Sequence, residues 1–300
     1  MKNYNDMFKG IITPIVTPFH REDQTINYEA TKDLINHLIK KGVSGIFILG
    51  SNGEFHVIDE AEKVAFAKYV VEAVDHRVPV FAGTGACATR ESIRLSKQME
   101  KVGVDALSII TPYFLKPTDE ELYLYFKEIA ESVNLPIVLY NIPKATGCNI
   151  SAAVVRKLAK IENICAIKDS SGDEDTLLGF LEIAKEEAID VLVGSDSKIS
   201  FGYQHGATGA VAGTSNVITD VVVGLDKALN DGDTKLASEY QRDIDVIRKV
   251  LKYGTVPSVI KRSMELAGIA EAGPARKPVV EVGVETDAKI IEMLKYYKLK

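Results

Sequence analysis

Residues 164–172 read ICAIKDSSG, an apolar run of strand character that carries Lys168 near its end. A charged group taken out of water without a partner is costly. A lysine that gives up its proton is a nucleophile, and its characteristic partner is a carbonyl carbon, with which it forms a Schiff base. A second run, PIVLYN at 136–141, ends with Tyr140 and Asn141, and a phenol beside such an amine can carry protons. Residues two apart share one face of a strand, so Ile164, Ala166 and Lys168 are expected on one face, and Val138 and Tyr140 on the matching face of a neighbouring strand. The plainer alternative makes Lys168 the partner of Asp169 or Glu54 in a salt bridge and Tyr140 a core aromatic, because structural ion pairs also hold lysines in unusual places.

What positions these residues is a repeating pattern. Eight β-rich runs begin with IITPIVTPF at 11–19 and continue with GIFILG (45–50), VPVFAGTG (78–85), ALSIITPY (106–113), PIVLYN (136–141), ICAIKDS (164–170), DVLVGSD (190–196) and GAVAG (209–213). Helix-length amphipathic stretches fill the first six gaps, for example DEAEKVAFAKYVVEAV at 59–74, and the gap from 196 to 209 has room for a brief helix. Strands apolar throughout, each followed by a helix, indicate a parallel sheet covered on its outer face. Eight such units favour a closed (β/α)8 barrel over a doubly wound sheet. The barrel is expected over residues 1–232. Residues 233–300, with DTKLASEYQRDIDVIRKVLK, PSVIKRSMELAG and DAKIIEMLKYY, are expected to append three helices.

In such barrels the reactive groups stand at the C-terminal ends of the strands. Those ends are Ser51, Asn52, Gly53 and Glu54 after the second run, Gly85 after the third, Tyr113 after the fourth, Tyr140 and Asn141 after the fifth, Lys168 and Asp169 after the sixth, and Ser195 and Asp196 after the seventh. A hydroxyl, a phenol and an amine thus face one mouth, and their joint placement favours chemistry over the salt-bridge alternative.

Composition narrows the partners. Of 300 residues, 46% are hydrophobic and 26% charged, which suits a soluble chain with a large core. The net charge of -6 argues against nucleic acid or an anionic membrane as partner. No run approaches the roughly 20 apolar residues of a membrane span, and MKNYNDMFKG lacks the apolar stretch of a secretory signal. Cys87, Cys148 and Cys165 are odd in number and match no metal spacing, as expected of reduced thiols in the cytoplasm. His20, His37, His56, His76 and His205 show no zinc spacing. Gly83 to Ala88 fits the dinucleotide pattern G-x-G-x-x-A, but the acidic residue, Asp105, begins the next strand where it should end it, so a turn at the rim is the better reading. Glu54 reads as a structural carboxylate. Gly194–Ser195 and Gly213–Ser215 follow the seventh and eighth runs, where many barrels bind phosphate, so a phosphorylated ligand stays open, though less favoured because no lysine or arginine is obvious there.

Four motifs in order, GSNGE at 50–54, TPYF at 111–114, YNIP followed by TG within 140–147, and IKDSSG at 167–172, resemble the dihydrodipicolinate synthase and N-acetylneuraminate lyase family of Schiff-base aldolases. The likeness covers nearly the whole chain. It implies that Lys168 forms the imine with pyruvate or a 2-oxo acid and that Tyr140 shuttles protons, with Ser51 as relay. It implies also that Ser51 and Asn52 hold the pyruvyl carboxylate, that Val211 contacts pyruvate through its backbone, that Tyr113 lies near the interface of a tight dimer, and that the assembly is a homotetramer. No metal or cofactor is implied; the partners are pyruvate and a small aldehyde.

Departures from the family pattern bear on the substrate. Phe114 stands where makers of dihydrodipicolinate have a second tyrosine, and Ala145 where they have an arginine for the carboxylate of aspartate semialdehyde; an alanine cannot replace a bidentate clamp. Asp196 and Ser197 stand where the sialic acid lyases have an Asp-Glu pair. Ala145, GSD at 194–196 and Asn52 resemble the branch acting on 2-keto-3-deoxy sugar acids. The sequence therefore leads to the expectation of an aldolase or dehydratase for such acids, with Asp196 in the substrate site. A synthase joining pyruvate and aspartate semialdehyde is the runner-up, N-acetylneuraminate lyase a further alternative, and an inactive binding barrel the outsider.

Overall fold

The computed structural model describes residues 6–300. The expectation drawn from MKNYNDMFKG therefore rests partly on residues outside those described. Strands and helices alternate: β1 (Gly10–Pro14), α1 (Tyr28–Lys40), β2 (Gly45–Ile48), α2 (Glu60–Val74), β3 (Val80–Gly83), α3 (Thr89–Val102), β4 (Ala106–Ile110), α4 (Asp119–Glu131), β5 (Ile137–Asn141), α5 (Pro143–Thr146), α6 (Ala152–Leu158), β6 (Ile164–Asp169), α7 (Glu174–Glu186), β7 (Asp190–Val193), α8 (Ile199–Gln204), β8 (Gly209–Val211) and α9 (Thr219–Asn230). The eight strands are parallel and close into a barrel in sequence order, β1 pairing with β8. Three helices follow: α10 (Thr234–Val250), α11 (Val256–Leu266) and α12 (Val284–Tyr296). No described helix is long and apolar enough to cross a membrane.

Local sequence explains where the helices start. Asp59 with Glu62, and Thr118 with Glu121, form reciprocal capping boxes that satisfy the first free N–H groups of α2 and α4. The gap between β5 and β6, read as one helix, holds two, because Pro143 opens the single turn of α5 and Gly147 ends it in a left-handed conformation.

Two apolar layers result. One packs between strands and helices; the other fills the barrel with Phe8, Ile12, Phe47, Phe81, Ala106, Val138, Ala166, Leu192 and Val211. Ala166 and Val138 are thus inward, as expected, and Lys168 and Tyr140 continue their faces upward. Ile164 is not. It packs in the outer layer, because the β5–β6 register slips between Ile137 and Val138, which pair with Ile164 and Ala166. That irregularity inserts one residue, Cys165, and breaks simple alternation at the foot of the strand. The runs read from sequence also extend past the strands at the mouth. Leu49, Thr84 and Thr111 are buried without being in the ladder, so apolar content alone does not mark where strand pairing stops.

Candidate active site

At the C-terminal mouth Lys168 lies in register with Tyr140 on β5 and Leu192 on β7. Its residue is 5% exposed. Nζ stands 3.8 Å from the centroid of the Tyr140 ring and 5.1 Å from that of Phe47, a setting in which aromatic faces are the nearest electrostatic partners. Both carboxylates of the salt-bridge alternative are engaged elsewhere. Glu54 takes Lys261 Nζ at 2.5 Å and the Arg276 N–H at 2.8 Å. Asp169, on the opposite strand face, accepts from Asn141 Nδ2 at 2.9 Å and from Ser171 Oγ at 2.7 Å. Burial pushes the Asp169 carboxyl above the usual carboxylate range, against these hydrogen bonds. Lys168 is therefore buried without a carboxylate in reach among the described residues.

A hydroxyl completes the constellation. Ser51 Oγ lies 3.3 Å from Tyr140 Oη, so the phenol links the amine's surroundings to a loop at the rim. The N–H groups of Ser51 and Asn52 donate to no backbone carbonyl among the described residues, which leaves them open to an anion. Gly194, the residue after β7, has no room for a side chain against the end of β6 and Ser170. A Cβ there would meet Lys168 Cε at 2.9 Å, the Asp169 carbonyl at 2.9 Å and Ser170 Oγ at 2.1 Å.

These groups face a cavity of about 630 Å³ whose walls include Ser51, Asn52, Tyr140, Lys168, Asp196 and Val211, large enough for more than a three-carbon acid. Six of the seven site residues expected from sequence thus come together. Tyr113 does not line this cavity: it packs edge-on against Phe55, 6.2 Å between ring centroids, with its carbonyl receiving the Cys87 thiol. Burial, then Cys87, raises the Tyr113 phenol. Asp196 is bound to the frame as well as exposed to the cavity, for its oxygens accept the N–H groups of Gly213 at 3.3 Å and Thr214 at 2.8 Å. Sequence reasoning missed Gly194 as a spacing requirement. It also missed Arg248 and Lys252, which reach the same cavity from the end of α10 and the turn after it; in sequence they look like the solvated face of an appended helix.

The other polar features are structural. Asp105 accepts the Val80 N–H at 2.8 Å, which accounts for the acidic residue near the glycine-rich turn. An open depression of about 790 Å³ beside Phe19, Arg21 and Glu265 shares no wall with the Lys168 cavity, and its arginine is already paired with Glu265 and Glu281. Among the described residues no group of three His, Cys, Asp or Glu side chains is placed to hold a metal ion.

Residues 7–297 match the Dihydrodipicolinate synthetase family. The chain belongs to that family. A 4-hydroxy-tetrahydrodipicolinate synthase 1 of Halalkalibacterium halodurans is 37% identical over 93% of this chain and 94% of its own. That of Desulforamulus reducens is 37% identical over 96% and 95%. Among solved structures, dihydrodipicolinate synthase DapA-2 of Bacillus anthracis superposes with a TM-score of 0.92 at 35% identity, covering 96% of this chain and 98% of its own. A prophage protein of the dihydrodipicolinic acid synthase family from E. coli K12, solved in complex with pyruvate, gives 0.94 at 34% identity over 98% and 100%. The dihydrodipicolinate synthetase family consists of pyruvate-dependent class I lyases that work through a lysine Schiff base and need no cofactor. This chain is accordingly a Schiff-base aldolase of pyruvate. The names of these relatives favour the synthase over the sugar-acid enzyme expected from Ala145 and Phe114.

Proposed function

We propose that the chain joins pyruvate to aspartate semialdehyde as a 4-hydroxy-tetrahydrodipicolinate synthase, with Lys168 as the imine-forming residue. The observation that carries the chemistry is a buried Lys168 stacked on Tyr140 with Ser51 behind it and no carboxylate in reach; the relatives' names support the aldehyde. The Lys168 amine attacks the keto carbon of pyruvate, and loss of water leaves a protonated imine. That imine withdraws electrons from the methyl carbon, which yields a proton to Tyr140 and becomes an enamine. The enamine carbon attacks the aldehyde carbon, Tyr140 and Ser51 return a proton to the resulting alkoxide, and the amino group of the condensed aspartate semialdehyde attacks the imine carbon, closing the ring and expelling the Lys168 amine. The open N–H groups of Ser51 and Asn52 hold the pyruvyl carboxylate, with the Val211 backbone against its other side. A 2-keto-3-deoxy sugar acid is the second reading, favoured by Ala145, which cannot clamp a carboxylate as an arginine would.

The same proposal includes a homotetramer and a cytoplasmic setting. Phe114 is 94% exposed and Leu115 75% exposed beside Tyr113, an apolar tip that suits burial against a second copy. All three cysteines are unpaired. Borohydride reduction with pyruvate tests the core of this reading. The expected result is a pyruvyl adduct on Lys168 that disappears in Lys168→Ala and persists in Tyr140→Phe while turnover falls by roughly 10²-fold or more; an adduct that survives Lys168→Ala overturns it. Pyruvate consumption with aspartate semialdehyde, against pyruvate release from 2-keto-3-deoxy acids and N-acetylneuraminate, decides the substrate.

A further inference from the structure

The helix α10 lies along the loops that follow β7 and β8, and Gln241 sets its position. Gln241 Nε2 donates to the Asp196 carbonyl at 3.0 Å, and Gln241 Oε1 accepts the Ser200 N–H at 2.9 Å. Seven residues make nearly two full turns, about 10 Å along the axis, so Arg248 emerges from the same face as Gln241. Lys252 follows within the 3₁₀ turn Leu251–Tyr253. Both line the cavity that contains Lys168.

Four arginines of the chain are half-buried: Arg156, Arg248, Arg262 and Arg276. Arg156 is paired with Glu186, Arg262 with Asp287 and Arg276 with Glu62. Arg248 has no carboxylate within 4.0 Å among the described residues, and neither has Lys252. A guanidinium partly out of water with an open fork is an unfilled bidentate anion site. Among the described residues the one acidic side chain in the cavity wall, Asp196, already accepts two backbone N–H groups and does not fill it.

We infer that Arg248 and Lys252 form the subsite for the far end of the aldehyde, and that this end is a carboxylate. The inference rests on the Schiff-base reading above and adds the residues that hold the acid end of its second substrate, Arg248 and Lys252. It also accounts for Ala145. The guanidinium that position 145 does not supply is offered by Arg248 at the end of α10 instead, with Lys252 in the turn after it.

The test measures pyruvate consumption with two acidic aldehydes, aspartate semialdehyde and succinic semialdehyde, and two neutral ones, butanal and glyceraldehyde. The wild type is expected to prefer the acids. In R248Q/K252Q the acid-to-neutral ratio of kcat/KM should fall roughly 100-fold, about tenfold per cation, chiefly through KM for the acids, and Arg248→Lys should retain part of the ratio. Lys252→Gln alone, at an exposed position, serves if the double variant does not fold, with a fall of roughly tenfold expected. A wild type that uses the neutral aldehydes as well as the acids, or a ratio that survives the substitutions, overturns the inference. So does an enzyme trapped by borohydride at Lys168 that consumes pyruvate with neither acid, and that outcome leaves the Schiff-base reading standing. Absence of the trapped adduct rejects that reading itself.

Discussion

Lys168 and Tyr140 are register partners on adjacent strands, so the inward parity that buries one side chain brings the other over it. This pairing was legible from the sequence, because two polar residues each ended an apolar run and period-two alternation fixed their face. The room around them was not. Gly194 is a glycine at a strand end, like several others, and only the packed structure shows that a side chain there would press on Ser170 Oγ, the Asp169 carbonyl and Lys168 Cε. Gly194→Ala should therefore displace Ser170 and crowd the lysine. We expect a loss of about 1–3 kcal/mol in stability from overpacking, read by urea denaturation. Pyruvate trapping by borohydride should also slow relative to wild type; trapping at the wild-type rate would show that the contact yields without disturbing the amine.

At the scale of elements, the second-strand loop that carries Ser51 and Asn52 is anchored from a distance. Glu54 holds a left-handed backbone, φ 57°, and its buried carboxylate meets Lys261 of α11, whose ammonium also lies 4.1 Å from the centroid of the Phe19 ring. Removing one member of such a pair strands the other charge. Glu54→Leu and Lys261→Met are each expected to cost about 3–5 kcal/mol, and the double variant markedly less than their sum. Equilibrium denaturation of all four proteins gives the coupling; additive losses would mean that the pair does not act as a unit. The strands, most helices and the three appended helices could be read from periodicity, whereas this tie could not. Lys261 sits in PSVIKRSMELAG beside Arg262 and looks like one more charge on an amphipathic helix. Glu54 was read as structural, but its partner is 207 residues away in sequence, and no local pattern connects them. Cys165 was hidden in the same way, since an inserted residue leaves no mark in an apolar run.

For the whole molecule, the buried pair makes stability respond to pH in an uncommon direction. Burial pushes Lys261 down to about 8, despite the neighbouring Glu54, from the ordinary lysine value of 10.5. Between those limits the unfolded chain holds a proton that the folded chain has released. The stability of the wild type relative to Lys261→Met should therefore rise with pH across that window, by at most about 1.4 kcal/mol per pH unit. Thermal or urea denaturation of both proteins at intervals from pH 7 to 10.5 checks the sign, and a difference that shrinks as pH rises would contradict it. A net charge of -6 spread over the surface does not oppose anionic substrates locally, because the cavity wall carries Lys168, Arg248 and Lys252 against one acid.

The position of α10 on that wall also bears on how the protein is made. The eighth strand is complete at residue 211, but the last part of the cavity wall comes from residues 248–260. A ribosome therefore releases every strand of the barrel, Lys168 included, before it releases the last wall of the site. Until the final fifth of the chain has emerged, Lys168 lies under an incomplete roof, without Arg248 and Lys252 on the wall of its cavity.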